Sequence, residues 1–317
     1  MAEIWTMGEL LCEVMRPRAD MPLDQAGEFV GPFASGAPAI CIDTVARLGH
    51  SAGIIGGVGD DDFGKCIVDR LERDGVDCSH ITRYQDGTTG VAFVTYFGDG
   101  SRRFLYHFPD TPATRPLAPD VSKLGGGVRY FHIMGCSLMA KRSFGLEIIK
   151  LMKALAADGA KISFDPNVRP ELMNDDGVSQ MLREVMECCS VFLPGVAELL
   201  MISGQPTVEK AVAACFENPV LETLALKKGS DGCAIYARGG EGKPVERVAL
   251  GVYPVEARDA TGAGDCFDGA FLCGLLEGKD LVEAAKMASA AAALNTAALG
   301  PMEGKISRES IAKMIGL

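Results

Sequence analysis

From Lys161 onward, short apolar runs alternate with stretches of helical period. An extended run at 161–164 precedes a helix over 177–188. A strand at 190–193, helices over 195–203 and 207–217, and a strand at 221–227 follow. Strands joined in this way build a mostly parallel sheet covered on both faces. Upstream, Ile4 to Val14 reads as one strand with Gly8-Glu9 near its middle, and strands are also predicted at Ser51–Val58 and Val128–Met134. Ser35-Gly-Ala-Pro38 is a turn into a helix with Pro38 in its first turn, and Gly49 ends that helix. Further helices are expected around 66–71 and 144–157. Extended runs at 232–237 and 245–253 lead to helices at 263–278, 281–297 and 307–315. Ligands of such sheets bind at the carboxyl ends of the strands. The segments opening at Asp165, Pro194, Lys227 and Gly262 should therefore meet at one edge. Residues 15–34 and 91–108 do not fit the rhythm. The latter holds two extended runs around Gly98-Asp-Gly100, a hairpin signal. The two excursions are expected to pair as a small sheet over that edge, serving as a lid.

Composition narrows the class. A formal charge of −11 argues against non-specific nucleic-acid binding and against an anionic membrane surface. No apolar run approaches the roughly 20 residues of a membrane span, and no signal peptide is expected from Met1-Ala-Glu-Ile-Trp5. The eleven cysteines form no C-x-x-C pair and are expected to be reduced thiols of a cytoplasmic protein. His50, His80, His107 and His132 show no metal-ligand spacing. Trp5 is expected in the core or the lid.

Chemistry concentrates in Asp259-Ala-Thr-Gly-Ala-Gly-Asp-Cys-Phe-Asp-Gly-Ala-Phe271. Gly262, Ala263 and Gly264 stand where extended chain opens into a helix, whose first N–H groups lack intrahelical partners. Together with the helix dipole they make an anion site, and glycine permits close approach. The acid that follows at once, Asp265, has a use there as a base taking the proton of a hydroxyl that attacks phosphorus. A Rossmann dehydrogenase would need Gly-x-Gly-x-x-Gly after the first strand, and Gly8 opens no such pattern.

This stretch resembles the signature of the PfkB carbohydrate kinases, the ribokinase-like sugar kinases of the fructokinase, tagatose kinase and 2-keto-3-deoxygluconate kinase branch. Ser35-Gly-Ala-Pro38 through Gly49, Gly57-Val-Gly-Asp-Asp-Asp-Phe-Gly64, Asp165-Pro-Asn-Val-Arg169, Lys227-Lys-Gly-Ser-Asp-Gly232 and the Ala-rich helix over 284–298 resemble further family motifs in order and spacing. The resemblance implies a ribokinase-like three-layer αβα fold with a central, mostly parallel sheet and a small β-sheet lid. That would be a single domain over 1–317 with lid segments at about 9–34 and 88–110, commonly paired into a homodimer through the lid. It implies transfer of the γ-phosphoryl of ATP to a primary hydroxyl of a sugar, with Mg²⁺ arriving on the nucleotide.

By the same resemblance Asp265 is the general base, and the N–H groups of Gly262, Ala263 and Gly264 hold the charge developing on the phosphoryl. Glu13, Gly36, Ala37, Tyr106, Asn167 and Arg169 would contact the sugar. Lys227, Gly229, Gly232, Thr261, Gly262, Gly264 and Ser289 would surround the nucleotide. Glu198 would reach the metal through water. Three places depart from the pattern. Gly195-Val196 stands where Asn-Glu is usual, Ile40-Cys41 replaces an asparagine, and Phe108 stands where an arginine holds the carboxylate of an acidic sugar. The last favours a neutral hexose or ketohexose, while Arg169 keeps 2-keto-3-deoxygluconate as an alternative, with ribose behind it. Gly195-Val196 leaves a non-catalytic sugar- or nucleotide-binding protein as the reading from another class.

Overall fold

The computed structural model describes residues 2–99, 101–169, 172, 177–239 and 244–316. Its strands are β1 (Ile4–Met7), β2 (Leu11–Met15), β3 (Val30–Ser35), β4 (Ala52–Gly59), β5 (Asp77–Tyr84), β6 (Gly90–Tyr96), β7 (Arg102–His107), β8 (Tyr130–Met134), β9 (Lys161–Asp165), β10 (Cys189–Phe192), β11 (Thr223–Lys227), β12 (Cys233–Arg238) and β13 (Pro244–Leu250). The helices are α1 (Ala37–Arg47), α2 (Asp62–Arg73), α3 (Gly135–Ala140), α4 (Arg142–Ala157), α5 (Gly177–Cys188), α6 (Val196–Ser203), α7 (Val208–Cys215), α8 (Ala263–Leu276), α9 (Leu281–Thr296) and α10 (Arg308–Ile315).

Among the described residues, nine strands form one sheet in the order β13-β12-β11-β10-β9-β8-β1-β4-β5. It is parallel from β11 to β5 and antiparallel at β12 and β13. Side chains alternate across it. Phe131 and Ile133 join α4 and α5 in one core, whereas Tyr130 joins α1 and α8 in the other. The result is three layers, as expected for crossovers that place helices on both faces.

Two readings of the sequence need correction. Ile4 to Val14 is not one strand. β1 pairs with β4 and β8 in the large sheet, and after Gly8–Leu10 the chain re-enters a second sheet as β2. Both halves are buried, so one apolar run served two sheets and its pattern could not mark the join. β5, at the sheet edge, went unpredicted because its face is only partly covered and its residues, Asp-Cys-Ser-His-Ile-Thr-Arg-Tyr, are mostly polar. The short α3 was also not foreseen.

The second sheet has the order β3-β2-β6-β7. Its register aligns Glu13, Ala92 and Tyr106 across one face, turned towards the carboxyl edge of the large sheet. Phe93 and Leu105 are aligned on the opposite face. Gly100 of the predicted hairpin turn lies outside the described residues.

Candidate active site

The carboxyl ends of β9, β10 and β11 meet, as expected, around a cavity. A parallel bridge from Gly195 to Lys227 draws the chain after β10 against β11. The segment at Gly262 arrives differently, because residues 251–261 carry no strand. The second sheet closes the cavity from above with Leu11, Glu13, Ala92, Arg102, Phe104 and Tyr106.

Gly262 caps α8 in the left-handed region, with φ at 77°. A Cβ there would stand 2.5 Å from the carbonyl oxygen of Pro301, so only glycine fits. Asn295 fixes the approach by donating from Nδ2 to the carbonyl of Thr261 at 2.8 Å. Asp259 accepts N–H groups from Thr261 at 2.8 Å and Gly300 at 3.0 Å, and a hydroxyl from Tyr96 at 2.9 Å. The loop before the helix is therefore held rigidly. The Ala263 N–H bends back to the carbonyl of Ala260 at 3.3 Å, and Gly264 faces the cavity.

Asp265 sits in the first turn of α8, buried, on the cavity wall. Its Oδ1 accepts from Asn167 Nδ2 at 3.0 Å. Burial, helped by the nearby Asp165 carboxylate, raises its pKa to about 6, although Arg169, Lys227 and Arg102 pull the other way. A base with a pKa near 6 is largely ionised at neutral pH and still holds a proton usefully.

The predicted sugar-side residues gather here. Glu13, Gly36, Ala37, Tyr106, Asn167 and Arg169 all line the same cavity. Burial pushes Glu13 up to about 7, against the pull of the Ser35 hydroxyl, which donates to Oε2 at 2.7 Å. Its Oε1 is buried without a partner among the described residues, and so is Asn167 Oδ1. Gly36, at φ 109°, opens α1, and a Cβ there would meet the carbonyl oxygen of Glu9 at 2.4 Å. Arg169 is held near Tyr106 and donates to the Val168 carbonyl at 3.2 Å. Phe108 is buried behind Tyr106, with ring centroids 5.5 Å apart.

A second, more apolar cavity adjoins the first through Lys227, Ala260 and Gly264. Gly229, Gly232 and Ser289 line it, beside Val252, Tyr253, Ala292 and Ala293. Thr261 and Gly262 stand on the first cavity's side of the junction. Glu198 also lines the first cavity. Its oxygens accept the N–H groups of Val168 and Gly195 at 2.7 Å each, leaving one lone pair per oxygen for a water. Burial first, then the Asp165 carboxylate, raises its pKa. This donor set suits an indirect contact to a hard cation that keeps its waters.

Sequence reasoning missed several cavity residues. Glu9 accepts from the Cys136 thiol at 3.2 Å and from the Ser137 hydroxyl. An acid inside an apolar run was its signal. Arg102 donates to Thr261 Oγ1 at 3.1 Å, and nothing in the hairpin sequence marked it. Behind the cavity wall, Asp268 is fully buried one turn after Asp265 and bonded to Lys227, and an acid on the apolar face of a helix was the available clue.

The model of the pfkB family carbohydrate kinases matches residues 18–307. The chain is 30% identical to fructokinase-1 of Oryza sativa subsp. japonica, covering 98% of this chain and 96% of that protein. It is 29% identical to fructokinase-1 of Zea mays, with the same coverage. Among solved structures it is similar to an E. coli protein provisionally named ribokinase II, solved with ATP and Mg²⁺. There the identity is 36% over 100% of this chain and 99% of that one, with a TM-score of 0.89. A Vibrio cholerae O395 fructokinase with bound fructose, ADP and calcium shares the fold at 21% identity, with a TM-score of 0.81 over 99% of each chain. A cavity with a buried acid at a helix N-terminus, on this fold and with these relatives, places the chain in the pfkB family of carbohydrate kinases, phosphotransferases acting on a sugar hydroxyl.

Proposed function

We propose that the protein transfers the γ-phosphoryl of ATP to a primary hydroxyl of a neutral ketohexose of the fructose kind. The observation that carries this reading is the first cavity itself. Asp265 stands at the N-terminus of α8, while the unpartnered Glu13 Oε1 and Asn167 Oδ1 offer acceptors to sugar hydroxyls in the same space. The fructokinases among its relatives support the choice of sugar. Asp265 takes the proton as the hydroxyl attacks. The start of α8 around Gly262 and Gly264 stabilises the charge that grows on the phosphoryl. The backbone of 227–232 and the Ser289 side chain hold the nucleotide, whose base would lie in the more apolar second cavity. Glu198 would hold Mg²⁺ through water, and the metal would offset the charge of the phosphates.

The four-stranded sheet acts as a lid, its segments at about 9–34 and 88–110 inserted into a single domain. Its outer face shows Phe29 and Leu105, 41% and 48% exposed, beside Phe93. Such a face is well suited to a second copy, so a homodimer through the lid is part of the proposal. Unpaired cysteines fit the reducing cytoplasm.

Arg169 favours one rival, an acidic sugar such as 2-keto-3-deoxygluconate. ADP release with D-fructose, D-tagatose, D-ribose and 2-keto-3-deoxygluconate separates them. The expected result is the highest kcat/KM with a ketohexose. Turnover confined to the sugar acid would overturn the choice of substrate.

A further inference from the structure

Three ionisable side chains lie beneath the anion site without a part in the transfer just described: Asp165 at the end of β9, Lys227 at the end of β11 and Asp268 in α8. Lys227 Nζ donates to Asp165 Oδ2 at 2.7 Å and lies 3.1 Å from each oxygen of Asp268. Asp165 Oδ1 accepts the backbone N–H of Asn167 at 3.0 Å, and its Oδ2 accepts the amide of Asn167 at 3.3 Å. The same amide donates to Asp265. Asn167 holds φ at 40°, in the left-handed region that asparagine adopts more readily than most residues. One hydrogen-bonded chain thus runs Asp268, Lys227, Asp165, Asn167, Asp265 and ties β9 and β11 to α8.

Lys227 lines both cavities, and its Nζ comes within 3.6 Å of where a Cβ on Gly264 would stand. A direct phosphate contact is the obvious role. Its hydrogen bonding argues otherwise. An ammonium has three donors, and three buried carboxylate oxygens surround this one. Those carboxylates, not solvent, fix its place. Removing one partner of such a buried set leaves an uncompensated charge, which is costly.

We propose that Lys227, anchored by Asp268, is a positioning residue that neutralises Asp165, so that Asn167 presents Asp265 to the sugar hydroxyl in one orientation and one charge state. The inference rests on Asp265 being the base.

The charges agree with it. Burial, against the pull of Lys227, raises the pKa of Asp268 well above its usual value. Burial would raise Asp165 too, but Lys227 together with the Asp268 and Asn167 hydrogen bonds outweighs it and holds Asp165 low, hence ionised. Besides Asp165, Asp265 is faced by Arg169 beyond β9, Lys227 on β11, Arg102 on β7, Glu13 on β2, Cys41 on α1, Cys136 on α3 and Asp268 on its own helix. Of these, Lys227 and Asp268 are hydrogen-bonded to Asp165, and Lys227 is the one that brings it positive charge. Without that charge Asp165 and Asp265 become two buried acids with no cation between them, so the pair holds its protons to higher pH.

The test is the pH profile of kcat/KM for the sugar in Lys227→Met, in Lys227→Gln, which keeps a donor without the charge, and in the double variant Lys227→Met/Asp165→Asn. Thermal unfolding shows which variants fold. In either single variant the acid limb should move up by about one pH unit, with KM for ATP within about threefold of wild type. In the double variant the limb should return, because the unpaired charge has gone while residue 165 can still accept the Asn167 N–H. An unmoved limb in a folded single variant would overturn the proposal. So would a rise of tenfold or more in the KM for ATP with the limb in place, since Lys227 would then be a phosphate contact. Loss of the acid limb in wild type would instead remove Asp265 as the base, a separate failure.

Discussion

At the scale of single residues, the proposed reaction uses Asp265 for its charge and Glu13 for its unpartnered oxygen. With the Asp265 pKa raised to about 6, its base form is present above that value and lost as pH falls through it. Wild-type kcat/KM should therefore decline below about pH 6, which a pH–rate profile measures. Glu13 Oε1, unpartnered in the protein alone, should bond the sugar. Glu13→Gln should raise the sugar KM about tenfold or more with kcat less affected, since a hydrogen bond to a charged group contributes roughly 1.5–3 kcal/mol. Steady-state kinetics at pH 8, where Glu13 is mostly ionised, give the comparison. Asp265 was legible in sequence because an acid directly after Gly-Ala-Gly stands next to an anion site. Arg102 was not, because only the folding of the second sheet over α8 brings it to Thr261.

At the scale of elements, the start of α8 is the most constrained piece. Gly262→Ala would force a left-handed residue against the Pro301 carbonyl. It should lower stability by roughly 1–3 kcal/mol, seen as a lower midpoint in urea, and reduce kcat more than the sugar KM. Most helices were readable from their period, and α8 and α9 match their predicted spans to within two residues. Strands were read less well where pairing, not pattern, decides. The run from Ile4 to Val14 satisfies two sheets in turn, and β5 is an edge strand with little apolar content. The second sheet's outer face gives a further expectation. Leu105→Glu should convert a dimer to a monomer, as measured by sedimentation velocity, because it places a charge in an apolar contact.

At the scale of the whole molecule, the large sheet fixes where chemistry can occur. Its parallel strands deliver Asp165, Gly195 and Lys227 to one edge, and α8 and the second sheet close over them. That convergence could be anticipated from the alternation of strands and helices. The buried network from Asp268 to Asp265 could not, because its three segments, at 165–167, 227 and 265–268, are far apart in sequence and only their packing joins them. The most direct measurement is sugar-dependent ADP release from ATP with D-fructose, made on wild type and on Asp265→Asn, with melting temperature recorded with and without fructose. Wild type should turn over. The variant should lose at least roughly 10²-fold in kcat while fructose still raises its melting temperature. Turnover by Asp265→Asn at the wild-type rate would contradict the assignment of Asp265 as the base.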